Sequence, residues 1–73
     1  RNKGYALKAI QMIVKYAFTH LNLHQLYANI TEDNLASIKL FENSKFKLTG
    51  IKKDWIYSNN GFKNESIYQL INE

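Results

Sequence analysis

The 73 residues contain no cysteine and no proline, and only three glycines, one methionine and one tryptophan. Without cysteine there is no disulfide framework and no thiolate metal site to compensate for small size. Nothing marks an oxidising compartment either, so a cytoplasmic setting is expected. With no proline and no low-complexity stretch, nothing divides the chain into separate units, and its length leaves room for one small core. No apolar run is long enough to cross a bilayer, and no membrane partner is expected. The N-terminus has neither an initiator Met nor the charged-then-apolar layout of a signal peptide, which reads as a chain that begins in mid-protein.

A dense tract of one charge is also missing. Ten basic against six acidic residues give a net charge of +4, which suits a polyanion such as a nucleotide cofactor, a nucleic acid or an anionic membrane. The lysines are scattered from Lys3 to Lys63, however, and most read as a solvated surface rather than a nucleic-acid-binding arm. Trp55 and Tyr57 beside Lys52 and Lys53 are the strongest form of a nucleic-acid reading, since aromatics between cations stack bases. The same residues fit a strand that packs a core or a subunit interface. His20 and His24 have a spacing that holds a metal on one helix, but Asn22 falls where that helix should end and a third ligand is missing, so no metal is expected.

What is present is a globular pattern, 45% apolar. From Gly4 to about Leu21 the residues Ala6, Ile10, Ile13, Val14, Ala17, Phe18 and Leu21 recur at steps of three and four, the spacing of a helix with one buried face. After Asn22-Leu23-His24, the run from Gln25 to Thr31 alternates Leu26, Ala28 and Ile30 with polar or exposed positions, as a half-buried strand does. Glu32-Asp33-Asn34 then offers capping side chains and early negative charge to a second helix ending near Asn43. Segments 46–51, 54–58 and 62–71 read as strands, with Asn60-Gly61 as a hairpin turn. The predicted order is helix, strand, helix, strand, strand.

The opening Arg1-Asn2-Lys3-Gly4-Tyr5-Ala6 reads as a phosphate-binding loop. A glycine permits a tight turn, and the helix that follows begins with N–H groups that lack intrahelical partners and attract an anion. Arg1 and Lys3 suit the same anion. Taken alone, the hexapeptide reads rather as an ordinary helix N-terminus with solvated basic residues, and it is the rest of the chain that supports the loop.

Together with that loop, the stretch from Tyr16 to Leu23, the strand from Leu26, the run from Asn34 to Glu42 and the Gly61 hairpin resemble the second half of a GNAT-superfamily N-acetyltransferase, across essentially the whole chain. Lys53-Asp54-Trp55-Ile56 and the ending Tyr68-Gln69-Leu70-Ile71 are most similar to bacterial spermidine/diamine N-acetyltransferases, in a branch that also holds ribosomal-protein N-acetyltransferases. The resemblance implies an α/β (α+β) fold with a mixed, mostly antiparallel sheet and flanking helices, present here as the acetyl-CoA-binding portion of one domain, residues 1–73. It implies transfer of an acetyl group from acetyl-CoA to a small primary amine, with no nucleic-acid partner.

By the same resemblance Arg1, Asn2, Lys3, Gly4, Tyr5 and Ala6 bind the CoA pyrophosphate, and Asn34, Ser37 and Phe41 belong to the next cofactor element. Asn34 is also a plain helix cap by its residue type, and one side chain can serve both ends. Phe41 stands where many members have a tyrosine that protonates the leaving thiolate, so that acid is missing and the catalytic residues are left unassigned. Water or the Ser37 hydroxyl could deliver that proton. Lys45 stands where the family usually has a glycine, which implies a left-handed backbone at a cost of about 1 kcal/mol or an altered turn.

The acceptor amine must lose a proton before it attacks. Glu32, Asp33, Glu42, Asp54 and Glu65 are the candidate bases, each with the residue type of a solvated surface group. Two other classes stay open beside the enzyme: a CoA-binding module without chemistry and a small basic nucleic-acid-binding domain. A partial domain leaves a sheet edge and a helix face uncovered, so a homo-oligomer or pairing with another chain is expected.

Overall fold

The computed structural model describes the backbone of residues 2–72 and the side chains of residues 4–72. Five elements follow in order: α1 (Asn2–Thr19), β1 (Gln25–Thr31), α2 (Leu35–Asn43), β2 (Lys47–Ser58) and β3 (Gly61–Ile71). The strands form one antiparallel sheet in the order β1-β3-β2, so β3 lies between two edge strands. The expected element order and α+β class hold.

Alternation in β1 decides which face of the sheet is covered. Leu26, Ala28 and Ile30 lie opposite Leu70, Tyr68 and Ser66 of β3 and turn to the same side. There Ile30, Phe46 and Tyr68 are buried, packed with Ile10 and Val14 of α1 and Ile38 and Phe41 of α2. Both helices therefore cover one face of the sheet. Ala17 of α1 is buried as well. Two residues of the expected helical face, Ile13 and Leu21, are instead 62% and 53% exposed. Ile13 falls with Tyr5, Met12 and Tyr16 on a second, outward stripe of α1, and Leu21 lies beyond the end of the helix. α1 stops two residues earlier than its pattern suggests because Asn22 adopts a left-handed backbone (φ 54°) and the Leu23 N–H returns to the Ala17 carbonyl at 3.1 Å.

α2 is closed at both ends. Asn34 caps its start, accepting the Ser37 N–H at 3.2 Å. At its other end Lys45 lies at φ 77°, the Phe46 N–H donates to the Phe41 carbonyl and the Lys45 N–H to the Glu42 carbonyl, each at 3.0 Å. That is a Schellman motif, and the apolar contact that accompanies it is the edge-to-face pair of Phe41 and Phe46, 5.0 Å between ring centres. The left-handed backbone expected at Lys45 is present.

The extended segments read at 46–51 and 54–58 run together as one continuous strand, β2, in keeping with the expected element order. The segment between them is absorbed by bulges: the register against β3 shifts between Leu48 and Gly50 and again between Lys52 and Ile56. At the second shift Asp54 takes φ 51°, and its N–H donates to the Asn64 side chain at 2.9 Å. The hairpin turn also moves by one residue. Asn59-Asn60 make the turn and Gly61 opens β3 with φ 112°, a conformation open to glycine.

A lysine at φ 77° carries a steric cost that glycine avoids. Lys45→Gly is expected to raise the urea unfolding midpoint with unchanged slope, a gain of about 0.5–1 kcal/mol after the larger entropy of glycine in the unfolded chain is counted. An unchanged or lower midpoint contradicts the strain assigned to Lys45.

Candidate functional site

Where the opening turns of α1 run beside α2, a groove of about 580 Å³ opens between them. Gly4, Ala6 and Leu7 line one wall, and Ala36, Ser37, Lys39, Leu40 and Asn43 the other. Four of these eight residues, Gly4, Ala6, Ala36 and Ser37, are small, which leaves the two helices with space between them. The volume lies in the range of small-molecule sites.

The structure corrects the reading of the first residues as a loop. Asn2 to Ala6 are already helical, and Gly4 does not take a positive φ. A Cβ added at Gly4 would meet nothing within 4 Å, so neither a tight turn nor a close approach requires glycine there. The apolar spacing from Ala6 onward carries the helix back through Gly4 at a cost of about 1 kcal/mol relative to alanine. The physical basis for anion binding survives in another form, because the N–H groups of an opening helical turn lack intrahelical acceptors and the macrodipole is positive there. Arg1 lies outside the described residues, as do the side chains of Asn2 and Lys3. Of the remaining hexapeptide residues, Gly4 and Ala6 line the groove, while Tyr5 is 80% exposed and does not.

The second helix divides its expected site residues. Ser37 lines the groove. Asn34 sits at the helix start, its side-chain oxygen accepting the Ser37 N–H and its backbone N–H donating to the Thr31 carbonyl at 2.9 Å; among the described residues nothing engages its side-chain amide N–H groups, which can serve a ligand. Phe41 is not on the groove wall. Its ring packs on Phe46 and the core and offers no proton. Lys39 and Asn43 line the groove although sequence reasoning did not select them. Their spacing with Ala36 and Leu40 was the available signal, since 36, 39, 40 and 43 share one helical face.

The candidate bases are mostly engaged elsewhere. Glu32 accepts the Asn64 N–H at 3.1 Å, Glu65 pairs with Lys52 at 3.5 Å, and Glu42 accepts from the Tyr68 hydroxyl at 3.5 Å. Asp33 pairs with Lys63. Asp54 is exposed at the β2 bulge. None of the five lines the groove. Burial, and then the nearby charge of Glu42 and the hydrogen bond to it, push the Tyr68 hydroxyl above its ordinary value, which keeps this phenol protonated. His20 stacks on Tyr16 and contacts the Thr19 hydroxyl at 3.0 Å, and no cluster of three metal-ligating side chains exists among the described residues. Trp55 and Tyr57 are exposed, with Lys52 over the Trp55 ring at 5.0 Å and Tyr57 edge-on to Phe62 at 5.2 Å. No described helix is long and apolar enough to cross a membrane.

Against this geometry stands a match of residues 1–67 to the family model described as an acetyltransferase (GNAT) domain. The chain belongs to the GNAT acetyltransferase family. An uncharacterized N-acetyltransferase of Bacillus subtilis, YnaD, is 32% identical over 73 residues, all of this chain and 43% of that protein. A solved GNAT-family acetyltransferase from Bacillus anthracis superposes with TM-score 0.86 at 31% identity, over 96% of this chain and 42% of that one. A variant of the spermidine N-acetyltransferase SpeG from Vibrio cholerae gives TM-score 0.89 at 25% identity, over 97% and 42% respectively. The chain thus spans less than half the length of the relatives it matches.

The Asp33 carboxyl is held below its ordinary value of 3.8, chiefly by the hydrogen bond from Lys63. A depressed folded value means that the pair stabilises the fold above about pH 4 and that this contribution is lost as the pH falls through the lowered folded value. Lys63→Met is therefore expected to lower the thermal midpoint near neutral pH, and the gap to the parent is expected to close on acidification. A gap that persists unchanged near pH 2, or none near pH 7, contradicts the pairing.

Proposed function

We propose that the protein carrying this chain is an acetyl-CoA-dependent N-acetyltransferase acting on a small primary amine, a polyamine or diamine such as spermidine, and that this chain supplies the acetyl-CoA-binding portion of its domain. The observation that carries the reading is the groove between the opening turns of α1 and α2, in a chain of the GNAT family. The residues fit the donor. Free N–H groups and a positive helix end suit a pyrophosphate, and small walls with the Ser37 hydroxyl and the Asn34 amide suit a narrow arm rich in amides. The spermidine assignment draws on the relatives of that name.

In the reaction the neutral amine attacks the thioester carbonyl. A C–N bond forms, the C–S bond breaks, the thiolate leaves and the proton lost by nitrogen passes to water or a base. This chain's part is to bind and orient. Phe41 donates no proton, and a thiolate of pKa about 8.5 leaves readily near neutral pH without one. A module that binds the donor without chemistry is the second reading, and Phe41 is what favours it. The reading includes a cytoplasmic location and self-association that covers the outward stripe of α1 and the free edge of β1, with no nucleic-acid or membrane partner.

The test is amine-dependent release of CoA thiol by the full-length protein, with spermidine, a diamine and no amine compared. Amine-dependent release is expected, by a species of more than one copy in sedimentation. Ala36→Phe, which fills the groove, is expected to raise the KM for acetyl-CoA by at least tenfold in a folded protein. Phe41→Tyr is expected to change kcat by less than about threefold. Saturable acetyl-CoA binding without release would select the second reading, and no binding would reject both.

A further inference from the structure

Two polar residues of the groove, Lys39 and Asn43, have no role in the reading above. α2 turns Ala36, Lys39, Leu40 and Asn43 to the groove while Ile38 and Phe41 face the core. Lys39 is the one charged side chain among the described residues that line it. Among the described residues its neighbours leave it unengaged. The ion pairs join Lys52 to Glu65 and Lys63 to Asp33, and Glu42, three residues on, accepts from Tyr68. Asn43, one turn further along the same face, adds an amide donor. Gly4, Ala6 and Leu7 on the opposite wall bring no carboxylate to oppose an anion. The groove thus has two places for negative charge: the N–H groups at the start of α1 and the Lys39-Asn43 face of α2.

CoA carries two kinds of phosphate. The pyrophosphate is a linking group whose oxygens suit a row of backbone N–H groups at a helix start. The 3′-phosphate is a terminal monoester with a charge of about −1.5 to −2 near pH 7, which favours a mobile cation with several donors. We infer that Lys39, with Asn43, holds the 3′-phosphate of CoA and so makes the site select CoA over its dephosphorylated form. This rests on the groove being the CoA site. Lys39 is solvent-exposed, so the pair is screened and the expected selectivity is moderate.

The test compares CoA and 3′-dephospho-CoA by calorimetry on the full-length protein and on Lys39→Met and Lys39→Arg. The parent is expected to bind CoA about fivefold or more tightly than 3′-dephospho-CoA. Lys39→Met should lose that preference by weakening CoA alone, with 3′-dephospho-CoA binding unchanged, and Lys39→Arg should retain most of it. Unchanged affinity for 3′-dephospho-CoA shows that the variant is folded and its groove intact. Equal weakening of both ligands in Lys39→Met, or of neither, overturns the inference while leaving the groove as the CoA site. Absence of binding by the parent to either ligand overturns both.

Discussion

A helix of nine residues is too short to persist alone, so the placement of α2 depends on what holds its two ends. At its end the Schellman motif folds Phe46 back onto Phe41, and Phe46 is one of the buried residues that join the helices to the sheet. At its start three consecutive residues are each tied down. Glu32 exchanges hydrogen bonds with the backbone of Asn64, Asp33 pairs with Lys63, and Asn34 caps the helix. Asn64 also takes the Asp54 N–H at the β2 bulge, so the hairpin and the helix start share one anchor. The groove wall formed by Ala36, Ser37, Lys39, Leu40 and Asn43 is positioned by these contacts.

Much of this was legible in the sequence where a pattern is local. Alternation in β1 located the strand from Gln25 to Thr31 and its buried side, and the capping residues before Leu35 located the start of α2. The resemblance placed a left-handed residue at Lys45, which the structure has. Patterns that depend on distant residues were not legible. Nothing near Asp54 in sequence announces that an amide ten residues away will accept its N–H at a bulge within β2. Ile13 satisfies helical spacing with either of two stripes on α1, and only packing shows that it belongs to the outward one.

The candidate site was legible in part for the same reason. Gly4, Ala6 and Ser37 come together at the groove, whereas Tyr5 and Phe41 do not face it and Asn34 acts at the helix start. Lys39 and Asn43 escaped notice because a lysine on a helix usually lies in solvent, and a local pattern does not tell which helix will pack beside it. The carboxylates that looked like bases are mostly occupied with α2, β2 and β3. Among the described residues the groove accordingly presents small side chains and one cation, Lys39, which suits the proposed role of binding and orientation.

The proposed place of a CoA ligand is the groove between the opening turns of α1 and α2. That placement is tested most directly by amide chemical-shift mapping of the full-length protein as acetyl-CoA is added. Saturable shifts concentrated at Gly4, Ala6, Leu7, Ser37, Lys39 and Asn43 are expected, with the Trp55 to Phe62 hairpin unmoved. Shifts centred on that hairpin, or on the outward stripe of Tyr5, Met12 and Tyr16, with the groove residues silent, would contradict that placement.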